Sequence, residues 1–195
     1  DTLSVLSSVL KKIKKDNPIN TKKKINNWVK IFDKKFYIKA KVINFDKLKD
    51  WSVNSKNITH KKKKHFSVIG VNVETNRREV NNWFQPILKG KNMAFAGFIK
   101  TKINNTDHYL CRYILKPGLK KSVIGCTINT SDISTYFENT SFNSIEKFFF
   151  SGEAKKNIVY DNILSDEGGR FYKCQIRYMI SAINYEKVKK IPKNY

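Results

Sequence analysis

The stretch Ile25–Val42, INNWVKIFDKKFYIKAKV, contains two hydrophobic periods in succession. One face of a helix would carry the apolar side chains of Ile25, Trp28, Val29 and Phe32, with lysines on the other face. From Phe36 onward apolar residues alternate with lysine and tyrosine, which is typical of a half-buried strand. The stretch therefore predicts a helix that is followed directly by a strand.

Towards the N terminus, an earlier helix is predicted over Thr2–Lys15, and Asn17-Pro18 separates the two helices. Its apolar stripe consists of Leu3, Leu6, Val9, Leu10 and Ile13. Basic amphipathic helices such as the one from Ile25 to Phe32 can lie on membranes, but packing against the domain or against a second subunit is the favoured explanation, and we expect no membrane partner. We expect residues 1–35 to form a helical arm for packing or dimerisation, and residues 36–195 to form the main module.

Short periodic segments continue through the rest of the chain. Strands are predicted at Phe66–Val73, Met93–Ile103, His108–Leu115, Ser122–Ile128 and Arg177–Ile183. Short helices are predicted at Phe45–Trp51, Glu79–Trp83, Ser131–Phe137 and Asn157–Leu164. Runs of strands with interspersed short helices indicate an α+β domain built on antiparallel or mixed sheets.

The net charge of +23 raises the question of nucleic-acid binding. The excess comes from 34 lysines spread over nearly every segment, as expected of a solvated surface, and no RNP-like aromatic motif accompanies them. We therefore expect no nucleic-acid partner. Arginine is scarce, and a planar bidentate donor suits phosphate or carboxylate. The five arginines, each a candidate ligand residue, are Arg77, Arg78, Arg112, Arg170 and Arg177.

Cysteine usage and missing motifs exclude several classes of protein. Cys111, Cys126 and Cys174 are odd in number and form no C-x-x-C pair, which indicates reduced thiols in a cytoplasmic protein. No apolar run approaches the ~18 residues that a membrane span needs. GxGxxG, Walker A and H-E-x-x-H motifs are absent, so we expect no redox cofactor and no metal.

Three local clusters combine residues that could carry chemistry. In Arg77–Leu88, two arginines precede a predicted short helix whose N terminus would favour phosphate, and Trp83 could stack on a base or sugar or lie in the core. In Glu167–Tyr172, a glycine turn sets an acid beside an arginine, either as a site or as an exposed ion pair of little energetic consequence. The third cluster joins the turn Lys116–Gly118 to the small polar residues of Gly125–Asn129.

In this order the clusters resemble the sugar-nucleotide 2,3-dehydratases of deoxysugar biosynthesis, from about Trp51 to Ile183. The matching segments are Trp51, Ile58–His60, His65–Gly70, Arg78–Leu88, Cys126–Asn129, Ser165–Phe171 and Arg177–Ile180. The resemblance implies a Nudix-hydrolase-like α+β module without the metal-binding Nudix box, and usually two such modules per polypeptide. It also implies a homodimer of single modules, unless the chain is part of a longer one.

The reaction implied by the resemblance is loss of water from C2 and C3 of a nucleotide-diphosphate 4-keto-6-deoxyhexose. A base removes the C3 proton, donors stabilise the C4 enolate, and an acid assists departure of the C2 hydroxyl. The enol then tautomerises to a 3,4-diketo-2,6-dideoxy sugar nucleotide without cofactor or metal. A separate NADPH-dependent 3-ketoreductase usually takes the product.

The resemblance also suggests roles for individual residues. His60 or His65 would act as base or acid, with Glu167 as the rival for either role. The candidate substrate-binding residues are Trp51, Arg78, Trp83, Gln85, Thr127, Asn129, Arg170, Tyr172 and Arg177. Lys116 stands where the family usually has Glu, and Asn129 where it has Gln. These departures leave open a non-catalytic module that binds a nucleotide sugar or serves dimerisation.

Overall fold

The computed structural model describes residues 17–131, 144–187 and 191–195. Helix α1 spans Lys22–Lys35 and helix α2 spans Ser144–Phe150. The first strands are β1 (Trp51–Val53), β2 (Asn57–His60), β3 (Ser67–Glu74), β4 (Asn82–Lys89), β5 (Ala94–Ile103) and β6 (Thr106–Leu110). They are followed by β7 (Arg112–Ile114), β8 (Val123–Gly125), β9 (Ile128–Thr130), β10 (Ile158–Ser165) and β11 (Gln175–Ala182). Short 3-10 turns cover Phe45–Lys47, Glu153–Asn157 and Tyr185–Lys187.

Helix α1 confirms the predicted amphipathic helix. Thr21 caps its N terminus, where Oγ1 accepts a hydrogen bond from the Lys24 N–H at 3.3 Å. Its aromatic stripe packs on the β7–β8 hairpin, with the Phe32 and Tyr113 ring centroids 5.4 Å apart. On the same side, Asp33 accepts hydrogen bonds from the Tyr113 hydroxyl at 2.8 Å and from the Ser122 hydroxyl at 2.5 Å. Apolar and polar contacts together therefore hold α1 on this hairpin.

Two larger sheets contain most of the strands. The first is antiparallel in the order β1-β2-β3-β4. The second has the order β10-β11-β5-β6, with β9 also paired to β5, and only its β11–β5 pair is parallel. Helices and mixed sheets together confirm the predicted α+β class.

The hydrophobic core lies under the second sheet, between β5, β9, β11 and helix α2. Its buried members are Phe95, Ile99, Ile128, Ile145, Phe149, Ala154 and Met179. Gly97 lies at the closest approach of sheet and helix, since a Cβ there would be 2.7 Å from the Phe149 ring. The absence of a side chain at Gly97 lets α2 pack directly on β5.

The loop between β10 and β11 joins the two sheets. Main-chain hydrogen bonds run from the Leu88 N–H to the Arg170 carbonyl at 2.9 Å and from the Tyr172 N–H to the Leu88 carbonyl at 2.8 Å. Phe171 thereby forms a parallel bridge with Leu88 on the outer edge of β4. The first sheet is thus fixed to the turn that carries Glu167 and Arg170.

The predicted strand Phe36–Val42 is wrong. These residues form no regular element and are exposed, with the Val42 side chain at 104% of its reference area. Alternation of apolar and polar residues makes a strand only when a neighbouring edge accepts its backbone hydrogen bonds. Within residues 17–131, 144–187 and 191–195, no strand pairs with this stretch.

Two of the predicted helices are also wrong, because these segments form a turn and strands. Glu79–Trp83 instead completes the turn after β3 and enters β4, because Trp83 is registered with Val73 across the β3–β4 pair. Asn157–Leu164 is almost entirely β10, which pairs with β11 along its length. In both cases pairing with a neighbouring strand outweighs a weak local helical pattern.

The remaining predictions have mixed outcomes. Predicted strands near β3, β5 and β11 are confirmed, and those at His108–Leu115 and Ser122–Ile128 are each divided into two shorter strands. The predicted helix Phe45–Trp51 is reduced to a 3-10 turn. The predicted helix Thr2–Lys15, and residues 132–137 of the predicted helix Ser131–Phe137, lie outside the described residues. In the part of the chain that the structure describes, the helices are too short and too polar to cross a bilayer.

Candidate functional site

A relay of hydrogen bonds links β4 to the glycine turn of the β10–β11 loop. The Trp83 indole N–H donates to Gln85 Oε1 at 2.7 Å, and Gln85 Nε2 donates to the Gly169 carbonyl at 2.8 Å. Both ends of the Gln85 amide are therefore used, which fixes its orientation. On the other side of the indole, the Arg78 guanidinium lies 5.8 Å from the ring centroid, within cation–π range.

The turn itself presents a carboxylate and a guanidinium side by side. Arg170 and Glu167 form an ion pair at 2.6 Å, and their side chains are 62% and 61% exposed. An exposed pair of this kind contributes only about 0–1 kcal/mol, so an anionic ligand could displace Glu167 from Arg170 at little cost. Tyr172 follows the turn, held in place by its main-chain bond to Leu88.

The structure thus brings together one set of predicted site residues around this turn, and we call it the loop group. Its members are Arg78, Trp83, Gln85, Glu167, Arg170 and Tyr172. The set contains two guanidinium groups, one carboxylate and two aromatic rings with polar edges. These are the group types that recognise a phosphorylated sugar and transfer a proton.

A second set gathers at the far end of the first sheet, and we call it the ring cluster. It consists of Trp51, His60, His65 and Phe66. The His60 and His65 ring centroids are 4.7 Å apart, and the His65 ring stacks on Trp51 at 6.1 Å. The exposed turn Lys61–Lys64 connects the two histidines.

His60 is buried, and one of its ring nitrogens is used within the turn. Its Nδ1 accepts a hydrogen bond from the Lys62 N–H at 3.2 Å. A neutral His60 ring consequently carries its hydrogen on Nε2. His65 is exposed and offers the more accessible imidazole of the pair.

The two sets lie on opposite faces of the first sheet. Trp51 on β1 lies opposite His60 on β2. Thr59, the neighbour of His60, lies opposite Ser67 on β3, which in turn lies opposite Lys89 on β4. Side chains alternate along each strand, so Gln85 and Trp83 share the face of Thr59 rather than that of His60. A single small substrate therefore cannot contact both the His60 and the Gln85 side chains through one face.

Three further predicted residues lie apart from both groups and make contacts within the fold. Thr127 is fully buried, where its hydroxyl donates to the Leu110 carbonyl and accepts from the Ile99 N–H at 2.9 Å. Asn129 belongs to β9 and is registered with Ala96. Arg177 makes a bidentate pair with Asp161, from Nε at 2.8 Å and from the terminal nitrogen at 2.6 Å. These hydrogen bonds hold the pKa of Asp161 below its usual range.

Arg112 is a rare arginine that the sequence singled out without assigning it a role. It donates to the Asn129 carbonyl at 3.2 Å, and its Nε lies buried with no partner among the described residues. Burial raises the pKa of Tyr195, and the charge and hydrogen bond of Arg112 oppose that rise. Arg112 therefore joins β7, β9 and the Tyr195 side chain at one point.

A cavity of about 430 Å³ lies between α1 and the β5–β6 hairpin and was missed by the sequence predictions. It is mainly apolar, with Trp28, Ile99 and Tyr195 among its lining residues. On its wall, His108 Nε2 accepts from the Ile19 N–H at 3.2 Å. Separate segments build this cavity, so no local motif could have indicated it.

No metal centre emerges from the described residues. Within 17–131, 144–187 and 191–195, no three His, Cys, Asp or Glu side chains converge as metal ligands would.

Comparison with known proteins agrees with the resemblance of the sequence segments. The family model described as NDP-hexose 2,3-dehydratase matches residues 22–195. The dTDP-4-dehydro-6-deoxy-alpha-D-glucopyranose 2,3-dehydratase of Saccharopolyspora spinosa is 26% identical over 171 residues, which cover 86% of this chain and 35% of that protein. Enzymes of the same name from Streptomyces violaceoruber and Amycolatopsis orientalis are 27% and 24% identical, covering 63% and 67% of this chain and 28% of each relative. The chain thus spans about a third of the length of the curated relatives it matches. It belongs to the NDP-hexose 2,3-dehydratase family.

Proposed function

We propose that this chain is a sugar-nucleotide 2,3-dehydratase module acting on a nucleotide-diphosphate 4-keto-6-deoxyhexose. The observation that carries the proposal is the family match, which extends over residues 22–195 and so includes both the loop group and the ring cluster. The three relatives named as dTDP-4-dehydro-6-deoxyglucopyranose 2,3-dehydratases support a lyase of this substrate class.

The reaction needs one base, one acid and donors at the C4 oxygen. Removal of the C3 proton leaves an enolate that the C4 carbonyl delocalises. The C2–O bond then breaks, and the hydroxyl leaves as water after it accepts a proton. The resulting enol tautomerises to the 3,4-diketone, so no electrons enter or leave the substrate. Each preorganised donor at the developing oxyanion can contribute about 3–4 kcal/mol.

The loop group suits this chemistry better than the ring cluster does. Glu167 is exposed and lies beside Arg170, so displacement of that ion pair by a diphosphate would free its carboxylate for proton transfer. Arg78 and Arg170 supply two guanidinium groups for the diphosphate. Trp83 offers its ring face, and Gln85 holds the turn in place. His60 is buried in the ring cluster, on the opposite face of the sheet, where Trp51 and His65 surround it.

The test is turnover by two variants with a matched control. Substrate is supplied as several nucleotide-linked 4-keto-6-deoxyglucoses, and the labile product is trapped by a 3-ketoreductase with NADPH. We expect Glu167→Gln to lower kcat about 100-fold or more, as loss of a general acid or base does. His60→Ala should retain most of kcat, and the exposed control Glu153→Gln should retain all of it. If Glu167→Gln keeps full activity and His60→Ala loses activity, the acid–base residue lies in the ring cluster and the proposed role of Glu167 is wrong.

A non-catalytic module that binds nucleotide sugar or serves dimerisation is the alternative. Lys116 favours it, since it places a positive charge in an exposed turn where the family usually has Glu. Binding of nucleotide sugars in calorimetry without turnover of any of them would establish this alternative.

The proposal extends to the fold and the partners. The mixed five-stranded sheet packed against α2 supports a Nudix-hydrolase-like module. The proposed location of the protein is the cytoplasm, where its three cysteines would stay reduced. A homodimer would supply the second module, with residues 1–35 as a candidate arm. A separate NADPH-dependent 3-ketoreductase is the proposed consumer of the product.

A further inference from the structure

Strand β10 is an open edge of the second sheet. It pairs with β11 on one side, and among the described residues no strand pairs with its other side. All eight residues of Ile158–Ser165 are exposed. Its apolar side chains include Val159 at 52%, Ile163 at 48% and Leu164 at 45% exposure. A long apolar edge of this kind is a template for pairing with another strand.

The edge also lacks the charges that would keep another strand away. The chain contains 34 lysines, yet none falls within Ile158–Ser165. The one charged residue of the strand, Asp161, is held in a bidentate pair with Arg177 on β11. Edge strands are commonly protected by lysine, proline or a covering segment. The outer edge of β4 shows such a cover, because Phe171 bridges to Leu88 there.

We propose that the outer edge of β10 binds the β10 edge of a second copy of this chain, antiparallel and across a two-fold axis. The inference rests on the homodimer of the proposed function and identifies its interface. Two copies of one strand present complementary N–H and carbonyl groups to each other when they run antiparallel. The five-stranded sheet of each copy would thereby continue into the other.

Symmetry and charge limit the register of this pairing. A two-fold axis perpendicular to the sheet requires one residue to face its own copy. Asp161 in that position would oppose like charges, which destabilises a strand pair. The proposed register has Asn162 facing its copy, which avoids this contact and places Tyr160 opposite Leu164 of the second copy. The bulge between Ile158 and Tyr160 confines regular pairing to Tyr160–Ser165, a normal strand length.

Sedimentation of the full chain at micromolar concentration tests the interface. We expect a dimer for the wild type and a monomer for Leu164→Lys, because a buried ammonium at the strand pair is unfavourable. Val42→Lys is the matched control, fully exposed on a different segment, and should remain a dimer. Circular dichroism spectra and a cooperative melting transition show that each variant is folded.

A cross-link tests the register independently of the charge variant. Oxidation of Asn162→Cys with diamide should produce a disulfide-linked dimer, since residues facing each other across a strand pair lie within reach of a disulfide. Val42→Cys should give none. If Leu164→Lys remains a dimer and Asn162→Cys forms no cross-link, the proposed interface is wrong, although the protein is still a homodimer. A wild-type monomer would overturn both, and the turnover assay would still decide the dehydratase proposal separately.

Discussion

The side chain of Gln85 on β4 donates a hydrogen bond to the main-chain carbonyl of Gly169, 2.8 Å away across 84 positions of sequence. The same amide accepts from the Trp83 indole. One glutamine therefore connects the first sheet to the turn that carries Glu167 and Arg170. The position of that turn depends on this bond and on the main-chain bonds of Leu88.

Replacement of Gln85 by Glu should loosen the turn. A carboxylate offers no donor to the Gly169 carbonyl, and a lost hydrogen bond of a partly buried group costs about 1–3 kcal/mol. We expect a melting temperature several degrees lower and a reduced kcat/KM. Gln175→Glu, an exposed position on β11, is the control. Equal melting temperatures for the two variants would contradict the relay.

Replacement of Gly97 by Ala should disturb the packing of α2 on β5. The new methyl group would lie 2.7 Å from the Phe149 ring and 2.9 Å from the Phe95 ring, and overpacking of a core costs about 1–3 kcal/mol. Combined with Phe149→Leu, the substitution should cost less than the sum of the two single changes, because the smaller side chain makes room. Urea denaturation of the four proteins measures this coupling. Gly70→Ala is the control, and it should cost little free energy of unfolding because a Cβ there has open space around it. Additive free-energy costs for the Gly97 and Phe149 substitutions would contradict the contact.

The contact between α1 and the β7–β8 hairpin should be sensitive to acid. Hydrogen bonds from Ser122 and then from Tyr113 lower the pKa of Asp33 in the folded protein. A lowered folded-state pKa contributes stability above the unfolded-state pKa, and this contribution is lost as pH falls through the folded-state pKa. The melting-temperature difference between wild type and Asp33→Asn should therefore be largest near neutral pH, begin to shrink near about pH 4, and disappear only below the lowered folded-state pKa. A difference that stays constant from pH 7 to pH 3 would contradict this ionisation.

The Cys111 thiol should react slowly in the folded protein. Burial, followed by the nearby Cys126, raises its pKa, so little of the reactive thiolate forms near neutral pH. Peptide mass spectrometry after brief iodoacetamide treatment should show less labelling of Cys111 in the native protein than in urea. Comparable labelling in both states would show that the thiol is accessible in the native protein and would contradict its raised pKa.

The sequence predicts some parts of this fold well because their signals are local. The apolar spacing of Ile25 to Phe32 repeats with the helical period, and α1 forms where that spacing lies. The Glu167–Arg170 turn likewise follows from its two glycines and its neighbouring opposite charges. Family membership is also readable from ordered short segments, since these keep their residue types and spacing in any tertiary context.

Other parts depend on partners that are distant in sequence. Phe36–Val42 alternates like a strand but has no edge to pair with among the described residues, whereas Ile158–Leu164 becomes a strand because β11 is there. Thr127 was predicted from the resemblance as a substrate-binding residue. Its burial and its hydrogen bonds to Leu110 and Ile99 arise only because the fold places Thr127 against β5 and β6.

The sequence by itself determined the α+β class, helix α1, the family and the residue types available for chemistry. Only the tertiary structure decided which of those residues meet. Strand register places Gln85 and Trp83 on one face and Trp51 and His60 on the other, because side chains alternate along a strand and a shift of one residue would exchange the faces. That register arises from hydrogen bonds between successive strands of the sheet, and the residue pattern of a single strand does not fix it.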